Sequence, residues 1–432
     1  MSESPSRRRP ATAGPLEKSR FTVILAGAAY TPERCLRQAA IFVANGGIAG
    51  VMECPARDTP TEPFRRKLLE TFGSAAEVGK VDREAWIHAD WIEAWDGIVA
   101  PGFIELHTNG IGGFDAMDPR PESLSGMARA LARYGTTAFL PTVITAPKPY
   151  IMQALSTLAD AMAYISDGAS PLGIHLEGPF LSPCRRGTHP AAHLQPPALA
   201  LFQEFFEASR GHLRVFTLAP ELKGALGLIE RAAGLGVIPA LGHSDATYEE
   251  AQQGIEAGAR HSVHLFNAMR AFNHRDPGIV GAILSDDRIS AEIITDGIHV
   301  HPVAVQILVG AKRLDKIVLS TDSISAAGMA DGPYKLGGKR VVVINGACRD
   351  DEGRLAGSSL TQDRALRNLM AWTGISPADA LATATLNPAC VLGLNNKGRI
   401  REGADADLVI LSRQWEVERT FVQGRTVFQK PE

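Results

Sequence analysis

Eight short apolar stretches, each closing on a polar side chain able to do chemistry, recur along the chain. They are Phe103–His107, Thr136–Ile144, Pro171–Pro179, Leu213–Glu221, Val237–Ser244, His261–Ala268, Ser290–His299 and Ile317–Ile324. Most of the segments between them carry apolar residues at helical period. Strand–helix alternation of this kind predicts an α/β fold with a parallel sheet closed into a (β/α)8 TIM barrel. Reactive side chains in such a barrel gather at the C-terminal ends of the strands. Three of those ends carry Glu177, His243 and His264.

The chain of 432 residues has room for one large barrel and something smaller. Residues 1–20 are rich in Pro, Ser and Arg without periodicity, the composition of a disordered tail. Phe21–Ala29 and Ala39–Val51 read as strands around the turn Asn45-Gly46-Gly47, and the later LVILS and FVQGRTVF repeat that pattern. A small β-sandwich built from both chain ends is therefore expected, from residues 21–100 and 395–432, on either side of a barrel at 101–394. An insertion at about 55–94 interrupts the first part. In it EPFRRKLLETFG reads as a helix, and Trp86, Trp91 and Trp95 read as local core.

A formal charge of −3 gives no basic excess, so neither nucleic acid nor a membrane surface is expected as a partner. No apolar run approaches the roughly 20 residues that span a bilayer. The basic N-terminal stretch lacks an apolar h-region, so the expectation is a cytoplasmic protein. Cys35, Cys54, Cys184, Cys348 and Cys390 are odd in number and widely spaced, which argues against a disulfide framework or a structural zinc knuckle. Cys184, in LSPCRRGTH, reads as a bystander thiol near the site.

Two imidazoles and one carboxylate suit Zn²⁺ or Fe²⁺ and leave coordination positions open for water and substrate. Any one of Glu177, His243 and His264 alone would read as a satisfied hydrogen-bonding residue. Three on converging strand ends point to a metal. Asp322 ends the eighth stretch at the same mouth, as a further ligand, a general base or a turn cap. Beside a metal the base reading is preferred.

The motifs PGFIELHTNG, HLEGPFLSPCRRGTH, TLAPE, GHSDAT, HLFNAM with RDPGIVGA behind it, TDGIHVHP, LSTDSISAAG and LAGSSLT run in order from Pro101 to about Leu394. In them the chain resembles the N-acetylglucosamine-6-phosphate deacetylases of the amidohydrolase superfamily. The resemblance implies hydrolysis of the N-acetyl group of an amino-sugar 6-phosphate to acetate and free amine. Glu177, His243 and His264 would hold the metal, and Asp322 would carry the proton from water to the leaving nitrogen. It also implies substrate contacts from Thr188, His189, Asn267, Ala268, Arg275, Asp296, His299, Leu355, Ala356 and Gly357. Arg275 is then a phosphate clamp, acting within its own chain or across a homodimer. Many amidohydrolases carry His-x-His after the first strand, whereas this chain has His107-Thr108-Asn109. Asn is a poor ligand for a transition metal, so one divalent ion per chain is expected, Zn²⁺ ahead of Fe²⁺, Co²⁺ or Mn²⁺, with His107 at most a weak contact to a second.

Three other readings stand beside this one. A galactosamine 6-phosphate substrate differs only in epimer. A cyclic-amide or deaminase amidohydrolase shares the barrel but has no use for Arg275. A dead barrel serving as a scaffold would have lost ligands, whereas Glu177, His243, His264 and Asp322 are all present.

Overall fold

Eight parallel strands surround the centre of the molecule. They are Phe103–Thr108, Thr136–Ile144, Ile174–Glu177, Leu213–Leu218, Ile238–Leu241, His261–Ser262, Ser290–Ile294 and Ile317–Ser320. They pair in sequence order. A parallel bridge between Thr108 and Ser323, with the Asn109 N–H donating to the Ser323 carbonyl at 2.7 Å, brings the last strand back to the first. This computed structural model describes residues 21–54, 61–75, 86 and 88–431, so the expected tail at 1–20 lies outside the described residues.

The strands are shorter than the apolar stretches that announce them. In His261–Ala268 only the first two residues are strand. His264, Phe266 and Ala268 take φ values of 31°, 78° and 51°, which no strand ladder accommodates. Val263 and Leu265 are nonetheless fully buried. Apolar patterning reports burial, and burial here continues past the last ladder hydrogen bond.

The barrel interior has two layers. Its floor is apolar, built from Ile104, Leu106, Ala138, Leu140, Val215, Ala240, Val263 and Val318, with Ala389 of the helix Leu386–Val391 against it. Above lies a polar layer that includes His107, Thr142, His175, Thr217, His261 and Glu292. Leu106 belongs to the floor and His107 to the layer above, although consecutive strand residues ordinarily face opposite ways. A register shift between Glu105 and Thr108 supplies the irregularity that re-aims His107.

Both chain ends meet in one seven-stranded sheet, ordered Arg425–Gln429, Val417–Val422, Leu408–Leu411, Asp90–Pro101, Phe21–Tyr30, Cys35–Ala44 and Gly47–Glu53. Its two faces bury alternate residues: Ile24, Ala26 and Ile41 on one, Val23, Leu25 and Phe42 on the other. The helix Glu62–Ala75 covers the second face, where Phe72 stacks on Phe42 at 3.7 Å and Trp86 closes the cluster. Asp90–Ala94, expected within the insertion, is instead strand, paired in parallel with Thr22–Ala26. Backbone hydrogen bonds hold that stretch, so its charged side chains concealed it from a pattern search. A three-stranded unit, Gly332–Leu336, Lys339–Ile344 and Ala347–Asp350, follows the eighth barrel strand and had no sequence signal that set it apart from the barrel.

Candidate active site

Glu177 ends the third strand, while His243 and His264 sit just past the fifth and sixth. Glu177 Oε1 lies 3.1 Å from His243 Nε2 and 3.1 Å from His264 Nε2, and the two Nε2 atoms are 3.1 Å apart. Ligand atoms about 2.0–2.2 Å from a tetrahedral metal stand roughly 3.3–3.6 Å from one another, close to this triangle. His243 Nδ1 donates to the Arg185 carbonyl at 3.0 Å, which turns the lone pair of Nε2 into the triangle. Burial, helped by the neighbouring His189, pushes the pKa of His243 down to about 4, keeping it in the neutral form a metal requires. The residues therefore fit a divalent metal.

Backbone strain gathers at the same place. His243, His264, Ala268 and Asp322 all have positive φ, between 31° and 51°. Such conformers cost of order 1–3 kcal/mol each and persist where surrounding structure over-determines them. Gly357 packs against Asp322 so closely that a Cβ there would stand 2.8 Å from the Asp322 carbonyl oxygen. Only glycine fits.

Asp322 faces the triangle through His107, whose Nε2 lies 3.3 Å from Asp322 Oδ1 and 3.6 Å from Glu177 Oε2. The Asn109 side-chain amide donates to the same Asp322 Oδ1 at 2.7 Å. Burial raises the pKa of Asp322 above the usual aspartate value, against the pull of His107. A raised carboxyl pKa suits a group that must both take and return a proton. On the other side His189 Nε2 stands 3.4 Å from Glu177 Oε2.

A cavity of about 830 Å³ opens over this cluster. It takes in Glu177, His243, His264 and Asp322, with Thr188, His189, Asn267, Ala268, His299, Leu355 and Gly357 from the expected substrate set. Asp296 lies one step behind, accepting from His299 Nδ1 at 2.7 Å, and Ala356 is buried with its N–H on the Cys348 carbonyl. His107 is fully buried beneath the cavity. Arg275 does not line the cavity and stands exposed on the loop after the sixth strand.

Several lining residues were not singled out from the sequence. Arg185 and Arg186, inside the HLEGPFLSPCRRGTH motif, and Lys339 and Arg354, outside any motif, give the rim its positive charge, and His193 joins them. Lys339 and Arg354 lie at the three-stranded unit. Both pair with the buried carboxylate of Asp350, which also accepts from Thr188. Their signal would have been the three-stranded unit, which alternation alone does not reveal. Glu105 and Glu292, both fully buried on barrel strands, were legible in principle, since a buried acid demands partners. Glu105 receives Ser320 Oγ at 2.7 Å, Thr321 Oγ1 at 2.7 Å and Gln362 Nε2 at 2.9 Å.

Residues 98–427 match the amidohydrolase family. The chain belongs to the amidohydrolase family. Among its relatives is the N-acetylgalactosamine-6-phosphate deacetylase of Escherichia coli O157:H7, 37% identical over 79% of this chain and 96% of the relative. The N-acetylglucosamine-6-phosphate deacetylase of Bacillus subtilis is 38% identical over 77% of this chain and 85% of its own. An N-acetyl-D-glucosamine-6-phosphate deacetylase mutant of Mycobacterium smegmatis, solved with N-acetyl-D-glucosamine-6-phosphate, superposes with a TM-score of 0.82 at 28% identity, covering 95% of this chain and all of that one. Aspergillus niger ochratoxinase, at 14% identity and a TM-score of 0.57, shares the fold alone. Like its relatives, this amidohydrolase is a hydrolase with a barrel and a sheet domain made from the chain ends.

Proposed function

We propose that this amidohydrolase removes the N-acetyl group of N-acetylglucosamine 6-phosphate, giving glucosamine 6-phosphate and acetate. The observation that carries the reading is the triangle of Glu177, His243 and His264 facing the same cavity as Asp322. One divalent ion per chain, zinc before other metals, would be held by those three residues. When bound, such an ion lowers the pKa of water toward ~7 and polarises the acetamide carbonyl.

The chain's own groups supply the rest. Asp322, steadied by Asn109, takes the proton of the attacking water and returns it to the departing nitrogen, since an amide anion is a very poor leaving group. His189, whose Nε2 stands 3.4 Å from Glu177 Oε2, would donate to the carbonyl oxygen as it gains charge. Asn267, Ala268 and His299 orient the sugar, with Thr188, Asp296, Leu355, Ala356 and Gly357 supporting them.

Arg275 is the phosphate clamp, acting from the partner subunit of a homodimer. Its exposed position outside the cavity of its own chain, on a loop that also exposes Phe272, supports that placement. No helix among the described residues is long and apolar enough to cross a membrane. A dianionic sugar phosphate does not cross a bilayer unaided, which supports a cytoplasmic location for an enzyme that acts on it. The N-acetylgalactosamine epimer is a second reading, favoured by the Escherichia coli relative. Acetate release from both epimers, each with and without the 6-phosphate, tests the assignment. Release from neither phosphorylated sugar by metal-replete protein overturns it.

A further inference from the structure

We infer that Glu292 is a positioning residue for the deacetylation, setting the orientation of His107 and through it the place of Asp322. Glu292 lies on the seventh barrel strand and is fully buried. A carboxylate in such a place is costly unless its oxygens are engaged, and an aliphatic side chain would pack there without that cost. Here both oxygens are engaged by site residues and their neighbours. Oε1 accepts from His107 Nδ1 at 3.0 Å and from the backbone N–H of His264 at 3.2 Å. Oε2 meets His261 Nε2 at 3.2 Å, and His261 Nδ1 in turn meets Ser290 Oγ at 2.8 Å.

The result is an ordered line, Ser290, His261, Glu292, His107, Asp322, running from the barrel wall to the group that moves the proton. A carboxylate without a proton only accepts, so the hydrogen on Nδ1 of His107 is committed to Glu292. That leaves Nε2 as the atom turned toward Asp322 Oδ1 at 3.3 Å and Glu177 Oε2 at 3.6 Å. Asn109 holds the same oxygen at 2.7 Å. Without Glu292 the imidazole has no strong partner on its inner edge, and its outer edge loses its heading. His175, packed edge-on against His107 at 4.6 Å between rings, limits the ring's tilt but offers it no hydrogen-bond partner. For metal-bound histidines, a carboxylate on the far side fixes ring orientation, and removing it commonly costs about 10–100-fold in affinity or activity; a loss of that order is expected for His107 as well.

This inference rests on the reading of Asp322 as the proton carrier, and the test separates the two. Full-length metal-replete protein is assayed for acetate release as wild type, Glu292→Gln, His107→Gln and the double variant. Metal content and thermal midpoint are measured on each. Glu292→Gln is expected to lower kcat about 10–100-fold with KM and metal content within twofold of wild type. The double variant is expected to be no slower than His107→Gln alone, because both substitutions break one line. Multiplying losses in the double variant, or a loss that follows metal content, would overturn the proposal. An independent reading comes from nitrogen-15 histidine spectra of the metal-loaded protein. A His107 ring N–H shifted downfield by its carboxylate partner is expected in wild type and absent in Glu292→Gln. Should Glu292→Gln not fold, the wild-type spectrum decides: without that resonance the proposal fails. If wild type releases no acetate while the resonance is present, the proposed function fails and the positioning of His107 stands.

Discussion

Asn109 donates its side-chain amide to Asp322 Oδ1 at 2.7 Å, across the seam where the first barrel strand meets the eighth. The residue that stands where many amidohydrolases keep a second imidazole therefore holds the proposed proton carrier. Exchanging Asp322 for Asn keeps its size but places a group there that cannot take a proton from water. The rate of acetate release is expected to fall about 10²–10⁴-fold with metal content unchanged. Near-normal turnover in a metal-replete variant would remove Asp322 from this role.

Metal stoichiometry follows from the same exchange of residues. About one tightly bound divalent ion per chain is expected by elemental analysis, and its removal by chelator should abolish activity until metal is restored. His264→Asn should lower occupancy more than His107→Asn, because His264 belongs to the 3.1 Å triangle and His107 stands outside it. Two equally tight ions per chain would contradict this account.

The placement of Arg275 has its own consequence. Arg275→Ala should raise KM for the 6-phosphate substrate far more than for the unphosphorylated sugar, because only the former loses an ion pair. If the clamp acts across a homodimer as proposed, mixing Arg275→Ala with Asp322→Asn subunits should restore activity, since one site in the mixed dimer would keep both base and clamp. Verified heterodimers that stay inactive would rule out action across the interface, whereas equal losses on both sugars would rule out the clamp itself.

Lys312 gives a pH test remote from the metal. Its ammonium donates to the Ile283 carbonyl at 2.7 Å and to that of Asp286, at the C-terminal end of the helix Gly278–Ser285. Burial pushes its pKa down to about 8, from an unfolded value of about 10.4. Between those values the unfolded chain binds more protons, so this group's contribution to stability rises with pH across that window and is lost as pH falls through about 8. Denaturant unfolding of wild type and Lys312→Met between pH 7.5 and 10 should show the rise in wild type and its absence in the variant. Parallel pH profiles would show that Lys312 titrates alike in both states.

The sequence by itself determined the barrel and the three residues of the candidate metal site. Period and position suffice for both: an apolar stretch that ends on Glu177 or His243 states its own register, and a strand's C-terminal end is where a barrel keeps its chemistry. Tertiary structure alone decided what surrounds those ligands. Glu292 meets His107 across 185 positions of sequence, and Asn109 meets Asp322 across 213. Neither pair belongs to a local motif: closure of the barrel makes the first strand a neighbour of the eighth, and it faces His107 of the first strand toward Glu292 of the seventh across the interior. Lys339 and Arg354 reach the rim only because a three-stranded unit folds back over the mouth. Asp90–Ala94 joined the sheet through its backbone, which no side-chain pattern records. Local periodicity encodes which face a residue shows, whereas the partner waiting on that face is set by how the faces close on one another.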